Sequence, residues 1–453
     1  MKNPATKITP LGKNIMKIAV FGAGKSGVAV AKKLGKELVF LTEEKKNVDS
    51  KTLNTLKKLK IQFELGGHTK KALEGTDLIV VSPGVPMDIP ILELARRKKI
   101  PVIGEVELAY SFLKKPIIAV TGTNGKTTTT ALIGRLLKDH GHRTAIAGNI
   151  GHPLISVNDS KLDYIVAEIS SYQLETVKKF KPWISIILNI TEDHLTRHKT
   201  MEGYARTKSF IFKNQGKNDY LIYNLDDKRV SDISKNAKCR KIAFSKKSYL
   251  KEGAFIKDGS MFYDNKKICV VDDIRIKGEH NIENSLAAVS AARLCNVPLK
   301  SVRKTLKSFS GVEHRIEFVK RTKGISFYND SKGTNPDSTI VAIRTLYPAH
   351  NIVLILGGRD KMTDLTQMCR EIKEHVKDVV LIGEASTRFK KYLEKCGYKR
   401  IHEASILADA VKSSYKLADS GDAVLLSPAC ASFDMFKNFE ERGKVFKKIV
   451  ANL

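Results

Sequence analysis

TGTNGKTT, residues 121–128, follows the apolar segment IIAV (117–120) and precedes a segment with helical character, TTTTALIGRLLKDHG (127–141). A strand, a glycine-containing loop and a helix in this order place backbone N–H groups and a helix N-terminus around a phosphate. The usual pattern has one more glycine, at the position that Val120 holds here, so this loop is a variant. We interpret it as a nucleotide phosphate-binding loop rather than a turn without a ligand.

The residue types in the loop suit a magnesium nucleotide. Glycines let the backbone approach the phosphates, Lys126 can lie along the β- and γ-phosphates, and Thr127 can offer its hydroxyl to Mg²⁺. ATP and Mg²⁺ are therefore the expected cofactors. The predicted ATP-binding residues of the loop are Gly122, Thr123, Asn124, Gly125, Lys126, Thr127 and Thr128.

Two further strand-like segments end in groups that could bind the metal. YIVAEIS places Glu168 near a strand end, and ISIILNITEDHL does the same for Asp193 and His194. Open α/β sheets bind their ligands at the carboxyl ends of the strands. A single acid at such a place is as often a helix cap or a surface charge, but two beside a phosphate loop favour a magnesium site.

A second glycine loop lies near the N-terminus. FGAGKSG (21–27) has GxGxxG spacing between a strand-like and a helix-like segment, and Glu43-Glu44 follows about twenty residues later. This pattern is typical of dinucleotide binding, yet the same loop can hold the diphosphate of a UDP-sugar, or it can be a tight turn without a ligand. Together with an ATP loop, it favours a nucleotide-linked substrate.

Composition narrows the class of protein. The 453 residues carry 79 Lys and Arg against 48 Asp and Glu, a formal charge of +31, but no basic block accompanies the excess and only 7% of residues are aromatic. We expect a lysine-rich solvated surface and no specific nucleic-acid binding. Six dispersed cysteines, no apolar signal segment and no run long enough to span a membrane predict a cytoplasmic protein without membrane insertion.

Strand-like and helix-like segments alternate from Met16 to the C-terminus, which indicates parallel sheets covered by helices. We predict an α/β protein with three domains in series. Residues 1–114 form a Rossmann-like domain, 115–310 a central phosphate-loop ATPase-like domain with a β-rich flank near 219–273, and 311–453 a second Rossmann-like domain.

Taken together, these motifs resemble the Mur ligases of bacterial cell-wall synthesis over nearly the whole chain. TGTNGKTT alone would also suit folylpolyglutamate synthetases, so the resemblance depends on a longer set. The set is GNIG (148–151), EISSYQLE (168–175), NITEDH (189–194), GEHNIEN (278–284), GVEHR (311–315), NDSKGTNPDST (329–339), GGRDK (357–361) and SPACASFDMFKNFEERG (427–443). The last motif resembles the branch of the family that adds D-glutamate.

The resemblance implies roles for matching residues. The catalytic residues would be Lys126, Lys208, His194 and Glu168. Two magnesium ions would be held by Thr127, Glu168, His194 and a carbamate on Lys208. Further ATP contacts would come from Asn281, Arg315, Asp330 and Lys332. D-glutamate would contact Thr334, Lys361, Ser432, Phe433 and Phe439. The UDP-linked substrate would contact Gly22, Gly24, Ser26, Gly27, Thr42, Ser82, Gly84, Asn149, Ser170 and Gln173.

The reaction implied by the resemblance joins D-glutamate to UDP-N-acetylmuramoyl-L-alanine, with ATP activating the substrate carboxylate as an acyl phosphate. We expect a monomer whose partners are these small molecules. Another Mur-type or folylpolyglutamate-type ligase is the alternative within the family. An NAD(P)-dependent oxidoreductase using residues 22–27 and a basic nucleic-acid-binding ATPase are the alternatives outside it.

Overall fold

A computed structural model describes residues 16–193, 195–347, 351–360 and 362–453. The chain divides into two compact units, one of residues up to 274 with 280–308 and the other of 275–279 with 309–453. The first unit contains two sheets and the second contains one. Short 3-10 helices lie at Gly35–Glu37, Lys70–Leu73, Leu154–Ser156 and Val271–Asp273.

The first sheet has five parallel strands in the order β3-β2-β1-β4-β5. Parallel neighbours need crossover connections, and helices supply them here. The strands are β1 (Ile18–Phe21), β2 (Leu38–Glu43), β3 (Gln62–Leu65), β4 (Leu78–Val81) and β5 (Val102–Gly104), and the helices are α1 (Lys25–Leu34), α2 (Ser50–Lys58), α3 (Pro90–Arg97) and α4 (Glu105–Phe112).

The second sheet has nine strands in the order β14-β13-β12-β11-β10-β9-β6-β8-β7. Its strands are β6 (Ile117–Thr121), β7 (Thr144–Gly148), β8 (Tyr164–Glu168), β9 (Ile184–Ile187), β10 (Tyr220–Asn224), β11 (Arg240–Ser245), β12 (Ala254–Lys257), β13 (Ser260–Tyr263) and β14 (Lys266–Val270). Its helices are α5 (Lys126–Asp139), α6 (Ser171–Leu174), α7 (Leu195–His198), α8 (Met201–Ser209), α9 (Lys228–Ser234), α10 (Glu279–Leu294) and α11 (Leu299–Ser308).

β6 lies inside this second sheet and is buried along its whole length. Its unbroken apolar run is typical of a parallel strand with both faces covered. β8 and β9 are its two hydrogen-bonded neighbours, with Val120 opposite Glu168 and Thr121 opposite Ile187. The strands that carry the predicted metal groups therefore flank the phosphate loop. The predicted β-rich flank joins the same sheet through β10–β11, and β12–β14 form its antiparallel edge.

The third sheet has six strands in the order β15-β16-β20-β17-β18-β19, parallel except for β15 at the edge. Its strands are β15 (Glu317–Thr322), β16 (Ile325–Asn329), β17 (Ile352–Gly357), β18 (Val376–Ile382), β19 (Ile401–Ala404) and β20 (Ala423–Leu426), and its helices are α12 (Pro336–Leu346), α13 (Thr366–His375), α14 (Ser386–Lys395), α15 (Leu407–Leu417) and α16 (Phe439–Ala451). The predicted fold class, three α/β domains in series, is confirmed. The exact domain boundaries stay a prediction.

Two buried glutamates of α4 connect the first sheet to the second. Glu105 Oε1 accepts a hydrogen bond from the Ile155 N–H at 2.7 Å. The carboxylate of Glu107 accepts from the three N–H groups of residues 178–180, at 2.7–2.9 Å. Buried carboxylates are stable only when such donors meet them. α4 is therefore joined to segments beside the second sheet by side-chain hydrogen bonds as well as by apolar packing.

Glu105→Gln is expected to raise stability at pH 8 and to leave it nearly unchanged at pH 5. Burial raises the pKa of Glu105 to about 7, above its value in the unfolded chain. The folded protein then holds the proton more tightly, so Glu105 lowers stability progressively as the pH rises from about 4.5 to about 7. Glutamine keeps the acceptor without the charge, and the gain at pH 8 should be about 3 kcal/mol.

Denaturant unfolding of both proteins at the two pH values measures this effect. Glu107→Gln is the matched control, because it removes a charge that three backbone donors stabilise. It should lower the unfolding midpoint at pH 8. Equal unfolding midpoints for Glu105→Gln and the natural protein at pH 8 would show that the charged Glu105 carboxylate does not lower stability.

Candidate active site

The phosphate loop has the backbone geometry that its sequence predicts. β6 ends at Thr121, α5 begins at Lys126, and Gly125 between them has φ +81°. A Cβ at Gly125 would lie 2.1 Å from Asn284 Oδ1, so neither the backbone angle nor the space admits a side chain. Asn284 Nδ2 in turn donates to Asn281 Oδ1 at 3.0 Å. Asn281, a predicted ATP contact, is thereby brought close to the loop.

Asn189 holds the loop from the neighbouring strand end, and the sequence analysis did not single it out. Its Oδ1 accepts from the Asn124 N–H at 2.8 Å, and its Nδ2 donates to Asn124 O at 3.2 Å. Its main-chain oxygen accepts from the Thr123 N–H at 3.0 Å. A polar side chain two residues after the end of the buried strand β9, inside the NITEDH motif, was the available signal.

Lys126 and Lys208 both donate to the carbonyl oxygen of Gly122. Lys126 Nζ lies 2.9 Å from this oxygen and 2.7 Å from Thr123 O. Lys208 Nζ, from α8, lies 2.8 Å from it. Two amines at one carbonyl, at the end of β6, form a concentrated group of donors where phosphate oxygens would be bound.

Lys208 is almost completely enclosed, with a relative exposure of 1%. Its Nζ also lies 4.5 Å from the centroid of the Tyr204 ring. Burial lowers the pKa of Lys208 well below its ordinary value, the positive charge of Lys126 lowers it further, and Asp193 opposes both. The Lys208 ammonium therefore loses its proton more readily than that of an exposed lysine.

Glu168 offers a buried oxygen to a cation. It ends β8, has a relative exposure of 2%, and its Oε1 accepts from Asn149 Nδ2 at 2.8 Å. Oε2 is buried without a hydrogen-bond partner, which is costly for a carboxylate unless a cation meets it. Thr127 is also buried, in the first turn of α5. These oxygens fit Mg²⁺, and His194, the third predicted metal group, lies outside the described residues.

Away from the phosphate loop, one group of three His, Cys, Asp or Glu side chains, among the residues described, has ligand atoms close enough for a metal. It consists of Glu313, His314 and Glu317. Lys447 Nζ donates to both glutamates, at 2.7 Å and 2.9 Å, so an amine already neutralises them. This group is better explained as an ion-pair network than as a metal site.

The N-terminal glycine loop packs very closely. A Cβ at Gly27 would lie 1.8 Å from Gly22 O, and Ser82 Oγ donates to the same oxygen at 3.3 Å. Gly24 and Gly84 have open space beside them instead. Ser26 lies in the first turn of α1. The geometry leaves the Gly24 side of the loop accessible to a ligand.

Thr42 and Glu43 follow this loop on the neighbouring strand. Thr42 is fully buried, and its hydroxyl lies 2.8 Å from Glu64 Oε1 and 2.8 Å from His68 Nδ1. Glu43 Oε2 accepts from the Ala23 N–H at 2.6 Å. One amide of the glycine loop is therefore bonded to a carboxylate of the protein itself.

Ser170 and Gln173 form the N-terminal cap of α6. The Gln173 N–H donates to Ser170 Oγ at 3.3 Å, and the Ser170 N–H donates to Gln173 Oε1 at 2.9 Å. These side chains have a structural role whether or not a substrate contacts them. Asn149 binds Glu168 through both its side chain and its N–H, so the GNIG segment is fixed to the end of β8.

Several predicted residues of the second unit follow β16 or β20 in the chain. Asp330 follows β16, and its Oδ2 accepts from Ser427 Oγ at 2.7 Å. Burial raises the pKa of Asp330 to about 7, which Ser427 and the charge of Arg315 oppose. Lys332 Nζ lies 5.6 Å from the centroid of the Phe439 ring.

The pocket predicted for D-glutamate differs in exposure among its residues. Ser432 is buried, Phe433 has a relative exposure of 62%, and Thr334 is intermediate. Arg442, on α16, lies fully buried, and its guanidinium donates to Ser331 O at 2.8 Å and to Cys430 O at 3.2 Å. It joins the two segments that carry the pocket. Lys361 lies outside the described residues.

Comparison with known proteins assigns this constellation to a family. Family models match residues 16–104 (Mur ligase MurD-like, N-terminal domain), 120–292 (Mur ligase middle domain) and 314–430 (Mur ligase, glutamate ligase domain). The chain is 49% identical to the UDP-N-acetylmuramoylalanine–D-glutamate ligase of Thermoanaerobacter sp. (strain X514), over 96% of this chain and 98% of that protein. The chain belongs to the Mur ligase family.

Another Mur ligase relative, the UDP-N-acetylmuramoylalanine–D-glutamate ligase of Clostridioides difficile (strain 630), is 40% identical over 96% of this chain and 98% of its own. Among solved Mur ligase structures, the UDP-N-acetylmuramate-alanine ligase of Thermotoga maritima aligns with a TM-score of 0.60 at 19% identity, covering 96% of this chain and 99% of its own. A pseudomurein peptide ligase of Methanothermus fervidus aligns at 0.57 and 19%, covering 96% and 99%. These structures support the fold.

Among the described residues, we find no helix with the length and apolarity required to cross a membrane.

Proposed function

We propose that the protein is an ATP-dependent ligase that joins D-glutamate to UDP-N-acetylmuramoyl-L-alanine in peptidoglycan precursor synthesis. Near-full-length identity of 49% to a curated relative of that name carries the proposal. The phosphate loop with Lys126 and the unpaired oxygen of Glu168 support the ATP-dependent part.

The reaction has two steps. A carboxylate oxygen of UDP-N-acetylmuramoyl-L-alanine attacks the γ-phosphorus of ATP, and ADP leaves with the electrons of the broken P–O bond. The amine of D-glutamate then attacks the acyl carbon, and a tetrahedral intermediate releases inorganic phosphate as the amide forms. The nitrogen loses a proton in this second step. Water would hydrolyse the acyl phosphate, so the site must exclude it.

Lys126 acts on the transferred phosphoryl group. Its ammonium already lies at two loop carbonyl oxygens, so little reorganisation places it on the γ-phosphate oxygens. Preorganised positive charge at the point where negative charge develops is the largest contribution that such a site makes. The loop N–H groups and the α5 N-terminus bind the remaining phosphate oxygens.

Thr127, Glu168, His194 and a carbamate on Lys208 would hold two magnesium ions. Bound magnesium neutralises the phosphate charge and orients the phosphates. The enclosed Lys208 suits carbamylation, because the neutral amine is the form that attacks carbon dioxide and because the product is an oxygen ligand. The orphan oxygen of Glu168 is consistent with a cation beside it.

The family resemblance supplies the remaining substrate contacts. In the proposed protein, three domains comprise residues 1–114, 115–310 and 311–453. Asn281, Arg315, Asp330 and Lys332 contact ATP. The UDP-linked substrate contacts the first glycine loop, through Gly22, Gly24, Ser26 and Gly27. It also contacts Thr42, Ser82, Gly84, Asn149, Ser170 and Gln173. Thr334, Lys361, Ser432, Phe433 and Phe439 contact D-glutamate. We further infer a cytoplasmic monomer without a specific nucleic-acid partner.

An amino-acid panel in an ADP-release assay tests the proposal. With UDP-N-acetylmuramoyl-L-alanine present, D-glutamate should give ADP and an amide product, whereas L-glutamate, L-alanine, L-lysine and diaminopimelate should not. Two mixtures serve as controls: ATP with UDP-N-acetylmuramoyl-L-alanine alone, and ATP with D-glutamate alone. ADP released at the full rate without any amino acid, or amide formed with a different one, would overturn the assignment. Release stimulated by DNA or RNA instead would indicate a nucleic-acid-dependent ATPase.

A further inference from the structure

Arg359 is an exposed cation held beside the segment that carries Ser432 and Phe433. β17 ends at Gly357, and Arg359 follows two residues later. Its backbone forms an antiparallel bridge with Ala431, and the Arg359 N–H donates to Ala431 O at 2.9 Å. The bridge fixes the backbone of Arg359 next to the segment with Ser432 and Phe433, two residues of the predicted D-glutamate pocket.

The acid adjacent in sequence does not neutralise Arg359. Asp360 accepts from Arg388 Nε at 2.6 Å and from Arg388 Nη2 at 2.8 Å, a two-point ion pair. On the facing segment, Asp434 Oδ2 accepts from the Glu384 N–H at 3.2 Å. Within the described parts of the chain, Arg359 takes part in no ion pair. Its guanidinium therefore carries an uncompensated charge.

Large apolar side chains on the same two loops are exposed as well. Phe433 has a relative exposure of 62%, and Met362, three residues after Arg359, has 76%. A small dicarboxylate with a chain of methylene groups matches this combination, because apolar surface covers its methylenes and a guanidinium binds a carboxylate in two-point fashion.

We propose that Arg359 binds one of the two carboxylates of D-glutamate and so helps to select this amino acid. The inference rests on the proposed function. D-Glutamate has two carboxylates, and the guanidinium of Arg359 offers a charged two-point partner to one of them. Its planar fork distinguishes a carboxylate from an amide, which an ammonium does less well.

Arg359→Gln should raise the KM for D-glutamate about 10- to 100-fold, because a charge-assisted two-point contact is lost. The KM for ATP, the KM for the UDP-linked substrate and the thermal unfolding midpoint should stay unchanged. Arg359→Lys should give a smaller increase. Lys412→Gln, which removes an exposed cation of α15 in the same unit, should change none of these values.

D-glutamine as acceptor identifies the carboxylate. If Arg359 binds the side-chain carboxylate, the preference for D-glutamate over D-glutamine falls in Arg359→Gln. If it binds the α-carboxylate, kcat/KM falls equally for both acceptors. An unchanged KM for D-glutamate would overturn the inference, as would a rise in all three KM values together with a lower unfolding midpoint. Failure of the proposed function is distinct, since the natural protein would then form no amide with D-glutamate.

Discussion

Lys126→Ala is expected to lower kcat at least about 100- to 1,000-fold, because it removes a preorganised cation from the developing charge on the γ-phosphoryl group. The structure places Lys126 Nζ 2.7–2.9 Å from two carbonyl oxygens of the loop, so the ammonium is held at the loop to which we assign the phosphates. ADP release with ATP, the UDP-linked substrate and D-glutamate all saturating measures the effect.

Folding should not suffer from this substitution. Lys126 is the first residue of α5, where a positive charge opposes the helix dipole, so alanine should leave the unfolding midpoint unchanged or slightly raised. Lys138→Ala, at an exposed position in the last turn of the same helix, is the matched control and should keep full activity. A Lys126→Ala protein within tenfold of the natural rate would show that the loop lysine does not stabilise the transferred group.

Lys208→Ala should lose about 100-fold or more in kcat, and formate or acetate should restore part of the loss. A short carboxylate can enter the space left by the side chain and supply the oxygen that a carbamate would supply. Neither acid should help Lys126→Ala, since that lysine acts through its positive charge. The ADP-release assay with increasing formate, at constant ionic strength, measures the recovery.

Two controls separate the carbamate from an ordinary buried amine. Removal of carbon dioxide from the buffer should lower the activity of the natural protein, and bicarbonate should restore it. Lys213→Ala, at an exposed position five residues later, should respond to neither treatment. Full activity of Lys208→Ala without any added acid would rule out the role, and loss without rescue or bicarbonate dependence would assign Lys208 to packing against Gly122 and Tyr204.

Strands with continuous apolar runs were predictable from the sequence, whereas strands with a mixed pattern of apolar and polar residues were not. The segments of β1, β6 and β8 consist mainly of apolar residues, and all three are strands as predicted. The segments of β3 and β7 show no clear alternation of apolar and polar residues, because both strands lie at sheet edges and are only partly buried. Alternation along the chain also could not reveal that 219–273 extends the sheet of the phosphate loop, since strand order depends on pairing between distant residues.

For the site, the sequence by itself determined the residue types and their local geometry. TGTNGKTT sets a strand, a loop and a helix, because Gly125 needs a positive φ and Lys126 begins the helix. Only the tertiary structure decided that Lys208, about eighty residues later, is buried against Gly122, and that Asn189 bonds the loop. The reason is physical: local patterns fix backbone conformation, whereas burial and electrostatic surroundings depend on which strand ends the sheet brings together.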